Sequence, residues 1–357
     1  MAKSNKTTFR DTVANFSLLK QKISAREFAP VYLLMGEEGY FIDELADMLA
    51  GTVLTESERA FNQIMVYGKD TDEGTIINYA RQMPMMGGYQ VIIVKEAQQL
   101  RKIEQLSLYT TAPSPSTILV VCHKGKSADR RSTFVKHVDQ KGVVFESVKP
   151  RDYELTGWLE QFVSGKGCSI EPKAVGMLAD HLGTDIAKIS NELDKLLTYL
   201  PEGTRRITAA NIEENIGISK DFNNFELTKA ISDKNTAKAL LIAEHFKRNP
   251  KDNPFTVTVS ALFTHFQRIF LLNYKRWQTK HKNIPMPADA EMSTLLKLPN
   301  PYFLNEYKTA ANNFPNKKVF AIFGILREYD MKSKGIGGGS ADDGDLLREM
   351  LMKIFMI

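Results

Sequence analysis

A nucleotide-binding α/β domain cradles phosphates in a glycine-rich loop after its first strand. A lysine there supplies charge, and a serine or threonine holds magnesium. The corresponding stretch of this chain is Gly36-Glu37-Glu38-Gly39-Tyr40-Phe41-Ile42-Asp43. It keeps two glycines but has neither the lysine nor the hydroxyl, and its two glutamates would repel phosphate. The strand-like run 117–122 continues into His123-Lys124-Gly125, with no trailing acid to hold magnesium. No ATP site and no bound cofactor are expected.

Other catalytic patterns are absent from the sequence. There is no Gly-x-Ser-x-Gly elbow. The histidines at 123, 137, 181, 245, 265 and 281 form neither a His-Glu-x-x-His pattern nor a cysteine–histidine cluster, so no metal site is expected. Asp342, Asp343 and Asp345 beside Gly344 have the wrong spacing for a calcium loop and read better as an acidic helix N-terminus. The glycine run 335–339 lacks a following Gly-Lys-Ser/Thr and reads as a connector.

Two segments suggest binding instead. Gln82-Met83-Pro84-Met85-Met86-Gly87-Gly88 joins a helix-like to a strand-like segment, where a loop should be exposed. Methionine is apolar and adaptable, and it recurs at surfaces that engage partners. Pattern alone favours these side chains folding under onto the sheet. The second segment is Tyr274-Lys275-Arg276-Trp277 with Lys280 and Lys282, cations interleaved with aromatics. Its plainer reading is a helix end with a solvated basic face.

The elements that position these segments follow from periodicity. Short β-rich runs fall at 31–35, 63–67, 91–94, 117–122 and 143–145, and continuous apolar runs of this length suit strands buried on both faces. Helical spacing occurs between them, at 40–54 and at 71–82, the latter opening with Asp70 and Glu73 as a capping-box-like start. This alternation predicts an α/β domain over 1–148, a mostly parallel sheet with helices on both faces.

After Pro150 the strand signals stop. Helices are expected at 153–164, 172–182, 185–200 and 208–216, making a small all-α domain over 149–217. A third, all-α domain spans 218–357, with helices at 225–231, 236–246, 255–278, 289–296, 302–314, 317–331 and 345–357 and prolines between them.

The 357 residues are too many for one compact core, which agrees with several domains. The first thirty residues lack the apolar segment of a signal peptide, and no apolar run approaches the roughly 18 residues of a membrane span. Two distant cysteines, Cys122 and Cys168, offer no disulfide framework, so a reducing cytoplasm is the expected home. The net charge of +5 is uneven. Residues 218–357 hold 21 lysines and arginines against 14 acids, a net +7. Such a bias draws a surface toward phosphates.

Five segments, in order, resemble one family. They are Val31-Tyr32-Leu33-Leu34-Met35-Gly36-Glu37-Glu38 with Ile42-Asp43-Glu44-Leu45; Pro84-Met85-Met86-Gly87-Gly88-Tyr89-Gln90 running into Val91–Val94; the Asp129–Lys136 stretch with Arg130 and Arg131; Gly183-Thr184-Asp185-Ile186 with Asn191-Glu192-Leu193-Asp194-Lys195-Leu196; and Glu328-Tyr329-Asp330-Met331-Lys332-Ser333-Lys334. Together they resemble the DNA polymerase III delta subunit, the clamp-opening subunit of the AAA+-like clamp-loader family.

The resemblance implies an AAA+-like domain that hydrolyses no ATP, a helical lid and a helical collar joining a pentameric ring. It implies a subunit of a DNA-directed DNA polymerase holoenzyme with no catalytic site of its own. The implied partners are the sliding clamp (the beta subunit), loader subunits of the ATPase and delta-prime type, and primed DNA, with no membrane. In the family an apolar pair just before the third strand enters a clamp pocket. Carried over, that pair is Met85 and Met86, where a leucine and an aromatic are commoner, with Gln82 and Met83 as neighbouring candidates. This reverses the reading from pattern alone. DNA contacts are expected from the collar, at Lys332 and Lys334 beside the glycine run and at Lys275 and Arg276. Two readings compete: an ATP-hydrolysing subunit of the same scaffold, and a stand-alone DNA-binding protein.

Overall fold

The computed structural model describes residues 7–357 apart from 86, 202, 299–300 and 337–341. The chain divides into two compact units, 1–150 and 151–357.

The first unit is built on five parallel strands: β1 (Val31–Gly36), β2 (Gln63–Tyr67), β3 (Gln90–Lys95), β4 (Thr117–Lys124) and β5 (Val143–Ser147), in the order β2-β3-β4-β1-β5. Alternate residues of the central strands serve opposite faces. Val31, Leu33 and Met35 pack with Ile76, Ala80, Phe134 and Val138 on one side. The helices Phe9–Ser24 and Gly39–Thr52 pack with the sheet and with each other, through Ile23, Phe41, Ile42 and Leu45. Both faces are covered, which is why the central runs are apolar throughout. β2 is the exception. As an edge strand it leaves Met65 and Tyr67 exposed, so its apolar run does not mark burial on both faces.

Local signals missed four α-helices among the described residues of this unit, one of them the single turn Ser107–Thr110. Phe9–Ser24 is held by a capping box of Thr8 and Asp11, and Glu56–Asn62 by one of Thr55 and Glu58. Thr133–Lys141 is capped by Ser132. The helix expected at 71–82 runs Glu73–Arg81 and is capped by Asp72 rather than Asp70, its carboxylate accepting from the Thr75 N–H.

The second unit is predominantly helical, with one correction. Ser169–Ile170 and Arg206–Ile207 form a short parallel pair, so strands do not end at Pro150. Two-residue strands carry no periodicity for a sequence to display. One continuous core takes its buried residues from 227–354, including Leu262, Phe266, Ile322 and Met350, with Phe222, Phe225, Phe355 and Ile357 packed against it. Through it runs the 28-residue helix Phe255–Lys282, which by length and composition alone is apolar enough to cross a membrane, contrary to expectation. A buried face of Leu262, Phe266, Ile269 and Leu272 accounts for that apolar character.

Candidate clamp-binding loop beside closed strand ends

Ligands of open parallel sheets bind outside the carboxyl ends of the strands, so those ends are the place to look for chemistry. Gly36 ends β1 at φ +135°, and a Cβ there would lie 2.0 Å from the Ser147 carbonyl oxygen. The turn is fastened to β5: the Glu37 N–H donates to the Ser147 carbonyl at 3.0 Å, and the Ser147 hydroxyl donates to the Glu38 carbonyl at 2.8 Å. Glu38 is buried, and its carboxylate caps the following helix by accepting from the Tyr40 N–H at 3.1 Å. The first turn of that helix therefore already holds an anion where a phosphate would sit.

The neighbouring strand ends are cationic. Lys95 closes β3 and meets Asp47 at 2.8 Å and Asp43 at 3.7 Å. Lys124 closes β4 and meets Asp43 at 2.6 Å. Burial lowers the Lys95 pKa, but the Asp47 and Asp43 carboxylates outweigh it and leave the ammonium raised. Glu96, next in sequence, accepts from the Gln99 amide at 2.7 Å. Lysine, carboxylate and helix cap are thus spent on one another. Sequence reasoning found the missing lysine and hydroxyl but not these ion pairs, since Asp43 and Lys124 lie 81 residues apart. Burial pushes the Cys122 thiol up to about 12, so it is no nucleophile. Among the described residues no cluster of histidine, cysteine and carboxylate could hold a metal.

The methionine segment behaves oppositely. The helix Glu73–Arg81 ends with Gln82 extended and exposed, its N–H bonded to the Tyr79 carbonyl at 3.1 Å. Met83 is 85% and Met85 77% exposed, so neither folds under onto the sheet. Met86 lies outside the described residues. The backbone of the loop is tethered: the Met85 N–H donates to the Asn62 side-chain carbonyl at 2.8 Å, and Asn62 is itself buried. Gly87, at φ +77°, packs so closely on Glu58 that a Cβ would overlap its carboxylate. Phe61, in the same helix as Glu58 and Asn62, is also exposed. Apolar side chains thus project from a backbone that is hydrogen-bonded to a buried side chain and passes close to Glu58. Asn62 and Phe61 were not foreseen, because nothing local links them to residue 85.

In the second unit the four expected DNA contacts differ in how they are engaged. Lys332 pairs with Glu328 at 2.9 Å and lies over the Tyr329 ring, and Lys334 pairs with Asp330 at 2.7 Å. Arg276 donates to the Asn312 side chain at 2.8 Å and to the Lys308 carbonyl at 3.3 Å. Lys275 has no acidic partner among the described residues. Of the expected DNA-contact segment Lys332–Ser340, residues 337–340 lie outside the described residues. As expected, Asp342 caps the helix Asp343–Met356, accepting from the Asp345 N–H at 2.9 Å.

Ser232 and His265 sit 2.9 Å apart and could suggest a hydrolase. The Ser232 hydroxyl also donates to the Thr228 carbonyl at 2.8 Å. His265 must then donate to Ser232 rather than take its proton, the reverse of a catalytic base. Burial holds the imidazole pKa down at about 3. The pair is a buried structural relay.

A five-stranded parallel α/β domain followed by a helical unit is an AAA+-like fold. Residues 32–148 match the family model "DNA polymerase III, delta subunit". The DNA polymerase III subunit delta of Bacillus subtilis is 24% identical over 344 residues, covering 93% of each chain. The solved structure of a Bacillus subtilis DNA clamp loader delta protein superposes with a TM-score of 0.53 at 20% identity, covering 96% of this chain and all of that one. Along nearly its whole length the chain is thus similar to DNA polymerase III delta subunits of the clamp loader.

Proposed function

We propose that this chain binds the sliding clamp through its methionine loop, favours the open ring, and hydrolyses no ATP itself. The observation that carries the reading is the exposure of Met83 and Met85 on a backbone tethered to Asn62 and packed on Glu58. A loop ordered before it binds has less freedom to lose on docking. Opening follows if the loop binds the open ring better than the closed one, since a ligand shifts an equilibrium only by its differential affinity. Absence of ATP hydrolysis is supported by the strand ends, where Lys95 and Lys124 face Asp43 and Asp47.

The partners in this reading are the clamp, the ATPase and delta-prime type subunits of a pentameric ring, and primed DNA, all in the cytoplasm. The proposed division is 1–148 for clamp binding, 149–217 as a lid and 218–357 as the collar that joins the ring. A core whose described members all lie within 222–357 supports the collar as a body of its own. DNA contacts at Lys332 and Lys334 compete with their pairs to Glu328 and Asp330, each one helical turn back, which phosphates can replace.

The test uses the purified chain and its host's clamp. Surface plasmon resonance should show saturable one-to-one binding to the clamp, tighter for a ring held open than for a closed one. Equilibrium dialysis against millimolar Mg-ATP should show no saturable site. Equal affinity for both rings would remove the opening role, and stoichiometric ATP binding would return the chain to the ATP-hydrolysing alternative.

A further inference from the structure

The methionine loop carries a reactivity that docking alone does not use. A thioether sulfur is oxidised by hydroperoxides, and the product sulfoxide is polar where the thioether is apolar. Access decides which methionines react. Met35, Met177, Met292 and Met350 are buried in the core. Met83 and Met85 stand at the other extreme, and among the described methionines only Met356, at 83% exposure, is comparable.

The backbone of the loop is indifferent to such a change. Its hydrogen bond to Asn62 is made by the Met85 N–H, and the close approach to Glu58 is made by Gly87, so neither involves a sulfur. Oxidation therefore leaves the loop in place and alters only what it presents. In a core methionine the same oxygen would lack a hydrogen-bond partner and would disturb the packing. A leucine would offer similar apolar volume with no lone pair to oxidise.

We infer that Met83 and Met85 are a reversible oxidation site whose modification releases the chain from the clamp, an inference that rests on the clamp-binding reading of the loop. In the step, a sulfur lone pair attacks the terminal oxygen of a hydroperoxide. The S–O bond forms as the O–O bond breaks, and the proton of the transferred oxygen passes to the leaving one. Sulfur loses two electrons and the peroxide gains them, giving the sulfoxide and water or an alcohol. A thiol-dependent methionine sulfoxide reductase reverses the step: the oxygen leaves as water and two thiols become a disulfide. The sulfoxide oxygen is hydrogen-bonded to water in the free chain. A pocket that takes apolar side chains does not replace those bonds, so the oxidised loop should bind about ten- to a hundredfold more weakly.

The experiment uses the full chain, dilute hydrogen peroxide and the immobilised clamp of its host. The chain is oxidised sparingly and passed over the clamp. Bound and unbound fractions are then compared, methionine by methionine, by peptide mass spectrometry. Sulfoxide at Met83 and Met85 should be enriched in the unbound fraction. Sulfoxide at Met356, comparably open to peroxide but in the second unit, should divide evenly between the two. Reductase with dithiothreitol should return the unbound chains to the clamp, and a circular dichroism melt should not distinguish them from the parent. A parallel sample, oxidised with the clamp already in excess, shows whether the clamp shields the loop.

Shielding of Met83 and Met85, with their sulfoxides divided evenly, would keep the clamp reading and overturn the inference. Binding with neither shielding nor enrichment would place the contact elsewhere and overturn both. Loop methionines that oxidise no faster than Met35 and Met177 would remove the site itself. Enrichment confined to Met86 sulfoxide would overturn the assignment to Met83 and Met85. Release that comes with a lowered melting temperature and that the reductase does not reverse would be damage to the core, and the inference would fail.

Discussion

The strand ends and the methionine loop lie in the same unit and handle their side chains in opposite ways. At the strand ends charged groups are matched with one another or with backbone: Lys124 with Asp43, Lys95 with Asp47, Glu38 with a helix N-terminus. In the loop the strong groups are apolar, and two are left in water on a fastened backbone. A site that has consumed its own charges has little left for a ligand. A surface that exposes apolar groups on ordered backbone still has binding energy to release. The contrast is the reason the proposed function places binding in the loop.

The strongest way to break that contrast is to remove the apolar groups. Met85→Ser combined with Met86→Ser should weaken clamp binding about a hundredfold or more, because two buried methionines contribute roughly 1.5–3 kcal/mol each, less the cost of ordering the loop. Thermal melting should scarcely move, since Met85 is 77% exposed in the free chain. A sharp fall in melting temperature would mean that the pair belongs to the core. If neither quantity moves, the contact passes to Gln82 and Met83, and Met83 is the more exposed of the two methionines described.

A smaller effect sharpens the claim that the loop is pre-ordered. Asn62→Ala removes the acceptor for the Met85 N–H and leaves a cavity where a buried amide stood. Stability should fall by roughly 1–3 kcal/mol, the cost of an unsatisfied buried group. Clamp affinity should fall severalfold, with hydrogen exchange at the Met85 amide accelerating by more than the global change explains. Faster exchange with undiminished affinity would show that the clamp orders the loop itself.

How much of this could be read in advance depends on the range of the interaction. The five strands were legible because burial on both faces writes continuous apolar runs, and the missing phosphate chemistry because that motif is contiguous. β2 misled in burial alone, since sequence does not say which strand takes the edge. The cap at Asp72 was misplaced by two residues, because Asp70, Asp72 and Glu73 offer competing acids within one turn. The Phe9–Ser24 helix was missed because its mean hydropathy is low and only Phe9, Thr12, Leu19 and Ile23 reach the interior. Asn62 beneath residue 85, Ser147 beneath Gly36 and Lys124 against Asp43 are products of the fold, and no local pattern announces them. The aromatic–cation segment was visible as residue types, but the alignment of its rings required the helix to run on to Lys282.

The smallest expected effect tests the other side of the contrast. Asp43→Asn removes the carboxylate shared by Lys95 and Lys124. Lys95 keeps Asp47 at 2.8 Å, so its burial remains compensated, while Lys124 is 30% exposed and can turn to water. Partly exposed pairs of this kind are worth up to about 1 kcal/mol, so a shift of a few degrees at most in melting temperature is expected. The informative readout is nucleotide. If ion pairing alone closes the strand ends, freeing Lys124 should let Mg-ATP bind measurably in dialysis. If the Glu38 cap and the absent hydroxyl also matter, the variant should remain empty, and that is the expected result. Glu38 stays buried on the helix N-terminus whatever residue 43 is, and an anion already seated there repels a second one. Binding in Asp43→Asn that disappears on restoring the aspartate would reduce the closure to one removable charge. Persistent absence of binding, with the fold intact, would assign the closure to the turn itself.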